Sequence, residues 1–587
     1  MVLLETNYMI RSRLTSRRRV LDNWDDNPSS SAAASMATMD WKNRLKYYRE
    51  LVRKAIEERK VFRITSGATL IKLRAELLNR GFIEHVVIRP RSVYYGMNLK
   101  TLLDGARTGN EFENALISKL LGSYQPNFIW CPVGHYNVHA TANEVNRIEF
   151  TGTDIITKLG ICHHVKKMNK NMPKGTIVNI PRMYELTNEK DLQEFHKDFN
   201  WTLVVGLVMF LHDQANIERF FSTRHYQVEV SGVTYAIDCI ENAVAAIEAG
   251  TRKHGEINET YFDTYQWRKI VQTHKAIVKQ RGRIHGTTEM ALNLGQRIRK
   301  LGLAIKYYWP QHRYDGYNNV WILKPGSANR GEGICVTDET RRMFRRIRND
   351  DKHRKFVVQK YIERPFTIHQ TKFDLRLYLL IVIDEHHYRG WTPKGIGDVK
   401  ICSMPYTLDC FSDGRHITNT VVQEKYKQQT QSLPDQHMWS LTTLFEYLER
   451  QGHRDIYERK IYPMVKETLK QISKSVMDEV ELCPVRFELF GVDVIIDHDF
   501  TPYLLEVNRG PSLQHFTSVS VLANNKLIED LMKVVIDHNR DPSAPTGTFE
   551  VVYEENIEDV VIDTRIIEAN ARKQSTDMSW IKTLCSS

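Results

Sequence analysis

The sequence predicts an α/β (α+β) fold in several parts, and three observations carry that reading. Two stretches read as strand pairs joined by turns, 320–336 around a glycine-rich loop and 486–508 around a polar, proline-containing link. Apolar residues recur at three- and four-residue spacing over 40–55, 69–79, 243–301, 439–451 and 461–477, which is the spacing of amphipathic helices. With 587 residues, 42% of them hydrophobic and 26% charged, the chain has room for three to four units of roughly 150 residues. The modest glycine and proline counts, 30 and 18, exclude collagen-like and wholly disordered readings.

From the N-terminus, residues 1–39 are basic and then small and polar, so a flexible leader is predicted, and its arginines without a long apolar run make a poor secretory signal. The longest apolar stretch, 201–211, covers eleven residues where a bilayer span needs about 20, so no membrane span and a cytosolic protein are expected. Asp40 is placed to cap a basic amphipathic helix with apolar positions Trp41, Leu45, Tyr48, Leu51 and Ala55. A second helix over 69–79 stops at Gly81. Mixed helix and strand follow to 226, helices dominate 243–301, and strands dominate from there to Pro405. Helices and then strands close the chain, while 550–563 and the tail show no usable periodicity. No two of the eight cysteines form a Cys-x-x-Cys pair, which argues against a zinc ribbon or a disulfide scaffold. Cys162-His163-His164 is the one Cys/His cluster, and because adjacent residues share no face it reads as a strand end near the surface rather than a metal site.

Three constellations carry chemistry. In 320–336, Gly326 and Gly331 have P-loop spacing, but Glu332 stands where a P-loop needs lysine, and a strand follows instead of a helix. What remains is a glycine hairpin, with backbone N–H groups around Arg330 and Gly331 able to cover phosphates and Lys324 as a point charge on the strand before it. In 486–508, a hairpin centred between Asp499 and Phe500 sets Asp493 opposite Glu506 and Gly491 opposite Asn508. Two carboxylates and an amide oxygen amid Phe487, Leu489 and Ile495 call for a cation, and all-oxygen ligands favour Mg²⁺ with its phosphates. In 371–383, Lys372, Asp374 and Arg376 share one strand face at period two, a cation–anion–cation stripe suited to a phosphorylated ligand; a structural ion-pair ladder is the competing reading.

Lys324 before its glycine hairpin, Gln359-Lys360-Tyr361-Ile362, Lys372-Phe-Asp-Leu-Arg376, and Asp493 followed by Glu506-Val-Asn508 resemble, in that order, the ATP-grasp ligases and specifically the tubulin tyrosine ligase-like family, over roughly 60–555. The stretches 357–365, 437–439, 80–85 and 546–553 look most like its glycylase branch. The resemblance implies an ATP-grasp fold with flexible leader 1–39, basic helix 40–60, N-terminal pre-ATP-grasp part 61–300, central glycine-hairpin part 301–400, C-terminal metal-hairpin part 401–545 and tail 546–587. It implies an ATP-dependent ligase, monomeric, joining free glycine to glutamate side chains of tubulin tails through an acyl-phosphate, in the cytoplasm on microtubules of a cilium or flagellum. By the resemblance Lys324 holds phosphates, Gln359, Lys360, Tyr361 and Ile362 line the adenine slot, Lys372 and Asp374 contact the nucleotide, and Asp493, Glu506 and Asn508 hold Mg²⁺. Arg376 and Lys400 are the residues it assigns to catalysis. Three departures stand out: Glu332 where many relatives carry a base, Lys400 in Asp398-Val-Lys400-Ile where relatives present arginine, and Arg509-Gly510 in place of small residues.

The net charge of +11 calls for an anionic partner. Nucleic acid fits the charge, yet the chain shows no recognised reading motif. A catalytically silent microtubule-binding relative and a glutamate ligase are the other readings. For the acceptor tail, 340–349 reads as a short helix entered through Asp338 and Glu339, with Arg341/Arg345 and Arg342/Arg346 in two rows and Phe344 and Ile347 facing inward.

Overall fold

The computed structural model describes residues 40–65, 70–131, 144–145, 155–171, 179–253, 264–326, 328, 331–350, 352, 354–426, 437–477, 486–511, 513 and 518–557. The expected leader, Arg330 and the tail beyond 557 lie outside the described residues. The described residues fall into two compact units, 40–65 with 74–131 and 144–145, and 70–73 with the described residues from 155 to 557.

The first unit is built on short parallel strands. Val61–Ile64 lies between Ile83–Glu84 and Phe128–Trp130, and the last of these pairs with Glu144–Val145. Its first helix, Trp41–Glu57, is capped as predicted: the Asp40 carboxylate accepts from the Asn43 N–H at 2.9 Å. The buried face is rotated from the predicted stripe and runs through Tyr48, Val52, Ala55 and Ile56, leaving Trp41 half exposed. The rotation follows from packing on helices Leu99–Gly105 and Glu111–Leu121, where the Tyr48 hydroxyl donates to Glu113 at 2.8 Å. Elsewhere in the chain, helix Ile71–Asn79 ends as predicted, with Gly81 at φ 81° in the left-handed region that favours glycine.

The second unit holds a helical group and two sheets that matter for the site. Helices Glu189–His212, Ser231–Glu248, Thr264–His274 and Thr288–Tyr308 share one core, and the apolar run 201–211 is its buried centre. Among the described residues no helix is long and apolar enough to cross a membrane. The smaller sheet runs Cys335–Thr337, Trp321–Pro325, Phe356–Lys360, Met183–Glu185, all antiparallel, so the glycine hairpin forms as predicted with Cys335 opposite Leu323.

The larger sheet is organised by the 13-residue strand Thr371–Ile383. Along one edge it pairs antiparallel with Arg486–Ile496, which pairs in turn with Pro502–Arg509. Along the other edge its first half takes Asp398–Ile401 and its second half His387–Pro393. Phe373, Leu375, Leu377, Leu379, Ile381 and Ile383 point into a core shared with Leu441–Arg450 and Tyr462–Met477. Strand Phe549–Asn556 joins His387–Pro393, an element that the acidic composition of that stretch conceals.

Two local expectations are corrected. Cys162-His163-His164 lies inside helix Lys158–Asn171, not at a strand end. Cys162 and His164 are buried, His164 bonds Ser475 at 2.6 Å, and the exposed His163 bonds Glu185 at 3.1 Å, so the three serve packing. In helix Thr340–Arg348 the fully buried residue is Met343, with Phe344 and Ile347 half-buried beside it. Glu339 makes no side-chain cap there, and Asp338 pairs with Lys279.

Candidate active site

Period-two alternation places Lys372, Asp374 and Arg376 on the face of the long strand opposite its core residues. Antiparallel pairing then aligns each with a neighbour. Lys400 stands beside Asp374, and one row across the sheet reads Asp398, Arg376, Asp493, Glu506, with the cation Arg376 between two acids and Glu506 beyond them. The hairpin places Asp493 opposite Glu506 and Gly491 opposite Asn508, as predicted, but by another route. The turn centres on Asp499, since Ile496 pairs with Pro502, and a bulge at Leu505 moves the register by one before Glu506. Without that bulge Glu506 and Asn508 would face the other side of the sheet.

Asp493 is the hub. Arg376 grips its carboxylate with two bonds, 2.6 and 3.0 Å, and Lys400 adds a third at 2.8 Å. Burial alone would raise its pKa, but Arg376 and Lys400 overcome that and hold it well below the ordinary carboxylate range. The Asn508 amide bridges Asp493 and Glu506 at 3.3 and 3.2 Å. Gly491 makes room for the guanidinium, because a Cβ there would sit 3.1 to 3.2 Å from Arg376 Cδ, Nε and Nη1. Asp374 is buried: burial raises its pKa while Lys400 and Lys372 oppose this, its Oδ2 accepts from Thr418, and its Oδ1 has no hydrogen-bond partner among the described residues.

These side chains line one cleft of about 570 Å³. Lys158, Lys324, Lys372, Arg376, Lys400 and Arg509 supply six cations against the carboxylates of Asp374, Asp493 and Glu506. Lys324 reaches it from the strand before the glycine hairpin, and burial pulls its pKa down to about 8 while Glu506 resists. Gly331, at φ 78°, also lines the cleft. Glu332 does not act there as a bare like charge, because Lys352 and Arg354 pair with it at 2.6 and 3.2 Å.

Gln359, Lys360, Tyr361 and Ile362 are buried on and just after the neighbouring strand and are not among the residues lining the cleft. Lys360 Nζ is held by the Val320 and Tyr361 carbonyls and by Glu363. Both amide atoms of Gln359 are buried without a hydrogen-bond partner among the described residues. The Tyr361 hydroxyl meets His416 Nδ1 at 2.9 Å, and burial pushes that imidazole down to about 4, so it is neutral and donates through Nε2 to the Cys410 carbonyl at 2.9 Å. Arg341, Arg342, Arg345 and Arg346 lie exposed outside the cleft lining.

Sequence reasoning missed Lys158, which bonds the Ala328 carbonyl of the glycine hairpin at 2.7 Å, and His416, Thr418 and Asn419. Their segments join the cleft only through tertiary packing, which no local period records. Arg509, flagged as a departure, lines the cleft and pairs with Glu488 at 2.9 Å.

A profile of the tubulin-tyrosine ligase family matches residues 251–543. Similar curated proteins include tubulin glycylase 3B and tubulin glycylase 3A of Drosophila melanogaster, 28% and 26% identical over 87% of this chain, and tubulin monoglycylase TTLL3 of Danio rerio, 26% identical over 88%. The chain spans 68%, 53% and 72% of their respective lengths. With a mixed α+β fold, an acid–base cluster on adjoining antiparallel strands and both comparisons in agreement, the chain belongs to the tubulin-tyrosine ligase family of ligases.

Proposed function

We propose that this protein is an ATP-dependent ligase that joins glycine to glutamate side chains of tubulin C-terminal tails. The observation that carries this reading is the cleft in which six cations surround two carboxylates and an amide set side by side, an arrangement suited to a polyphosphate with its divalent ion. The residues fit such a ligand. Glu506 and Asn508 project from one face, Asp493 lies opposite, and the Asp374 Oδ1 and Gln359 amide atoms are buried polar groups awaiting a partner. In this reading Asp493, Glu506 and Asn508 hold Mg²⁺, Lys324 and Lys372 hold phosphates, Gly331 and Arg330 belong to the loop over them, and Gln359 to Ile362 border the adenine. The segments 301–400 and 401–545 form the two halves of the nucleotide site.

The chemistry is phosphoryl transfer to a carboxylate followed by attack of an amine on the acyl-phosphate, with loss of phosphate. ATP supplies the phosphoryl group, and Mg²⁺ neutralises its charge. The chain's own part is positioning: Arg376 and Lys400 hold positive charge beside Asp493, where the oxygens of the transferring group gain negative charge. The names of the relatives, tubulin glycylases and monoglycylases, favour glycine over glutamate or tyrosine. They also favour action on the cytoskeleton, and the axoneme of a cilium or flagellum is the place proposed for it. A catalytically silent, microtubule-binding role has one observation in its favour, the full occupation of Asp493 by Arg376 and Lys400. The deciding assay incubates the purified chain with microtubules, ATP and separately radiolabelled glycine, glutamate or tyrosine. Label from glycine is expected on tubulin; label from glutamate alone would reassign the amino acid, and no ATP consumption would leave the silent reading.

A further inference from the structure

We infer that helix Thr340–Arg348 is a docking face for an acidic, glutamate-rich peptide. The inference rests on the ligase reading only in identifying that peptide with the acceptor. Arg341, Arg342, Arg345, Arg346 and Arg348 are all exposed on this nine-residue helix. Among the described residues none of the five forms an ion pair, and three nearby acids are engaged elsewhere: Asp338 with Lys279, Asp350 with Arg354 at 2.5 Å, and Glu332 with Lys352 and Arg354. Like charges at four-residue spacing repel by a few tenths of a kcal/mol per pair in a helix. An anionic partner relieves that repulsion.

Spacing and chemistry both point to a peptide. Residues four apart on a helix rise about 6 Å, and same-side residues of an extended chain repeat at about 6.7 Å, so two guanidinium rows match alternate side chains of a glutamate run. Guanidinium groups take carboxylates by two parallel bonds. The face offers no ring for a nucleobase: its aromatic residue, Phe344, is half-buried and stacked on His196 at 5.6 Å. The position also suits delivery of a substrate, because a Cβ at Gly333 of the glycine hairpin would lie 3.7 Å from Arg346 Nη2, and Gly331 of the same hairpin lines the cleft.

The test measures binding of a fluorescent oligoglutamate peptide to the full chain by anisotropy at several salt concentrations, with ATP affinity measured in parallel. Arg341→Glu, Arg345→Glu and Arg346→Glu together should weaken peptide binding at least about tenfold at low salt, flatten its salt dependence and leave ATP affinity unchanged. The corresponding triple glutamine variant, which keeps side-chain length without the charge, should lie between. Parent-like peptide affinity in the glutamate variant overturns the inference. So does joint loss of peptide and ATP binding in both variants, which makes the helix a support for the hairpin, and so does displacement of the peptide by an equal concentration of single-stranded RNA. Peptide binding is read without turnover, so an intact peptide site in a protein that transfers no amino acid overturns the ligase reading alone.

Discussion

At the scale of single residues, the two carboxylates of the hairpin divide the work by their partners. Asp493 is neutralised by direct bonds from Arg376 and Lys400, whereas the Glu506 carboxylate forms no ion pair among the described residues and accepts a hydrogen bond from the Asn508 amide. Glu506 is therefore the acid with most to offer a cation. Glu506→Gln keeps the shape and removes the charge, and it should lower ligation by about a hundredfold or more while the melting temperature stays within a few degrees, measured by labelled-glycine transfer and calorimetry. Lys324 makes a prediction in pH. Its pKa is pulled down to about 8 by burial, so the free protein carries this charge below pH 8 and loses it above. Affinity for ATP should fall as pH rises through 8, approaching tenfold per unit, and Lys324→Arg should flatten that fall, as read by titration calorimetry from pH 7 to 9.5. The linked effect on stability has the opposite sign. The unfolded chain holds the proton up to about 10.4, so the burial penalty is full below pH 8 and is relieved between the two values.

At the scale of elements, the hairpin Arg486–Ile496 with Pro502–Arg509 shows how a local device sets chemistry. Its alternation and its polar link were legible in the sequence, whereas the turn centres half a residue earlier than expected and Asp493 meets Glu506 only because a bulge makes up the difference. The bulge at Leu505 was not legible, because a bulge depends on how the strand twists against its neighbours and leaves the composition unchanged. The glycine at 491 belongs to the same device. Gly491→Ala places a methyl group against Arg376, pushes the guanidinium off Asp493 and leaves a buried carboxylate short of partners. Turnover should drop at least about tenfold and stability by about 1–3 kcal/mol, measured by transfer assay and urea titration.

Across the whole molecule, the second unit ties its helical group to the sheet that carries Lys324 through one buried ionic knot. Arg182 binds Asp198 by two bonds, 2.6 and 2.9 Å, and also Tyr314 and Asp315, each at 2.9 Å, with its guanidinium over the Trp321 ring. Removing one partner strands a buried charge. Asp198→Ala should cost about 3–5 kcal/mol in urea unfolding, while the folded fraction keeps parent-like ATP affinity because none of these residues lines the cleft. The net charge of +11 is unevenly spent at this scale: six cations line the cleft, and five arginines crowd one exposed helix.

What the sequence by itself determined was the identity of the local units. Strand alternation put Lys372, Asp374 and Arg376 on one face, and two apolar runs with a polar link made 486–508 a hairpin; an Asx cap opened the first helix and a glycine closed the second. These follow from periods of two and 3.6 and from turn chemistry, which act over a few residues. Only the tertiary structure decided which strands become neighbours. It set Lys400 on Asp493, brought Lys158 and Thr418 to the cleft, gave Glu332 its two cations and drew Phe549–Asn556 into the large sheet. Those contacts join residues from about 20 to more than 160 positions apart, and no local period records them, because they are selected by burial of a shared core.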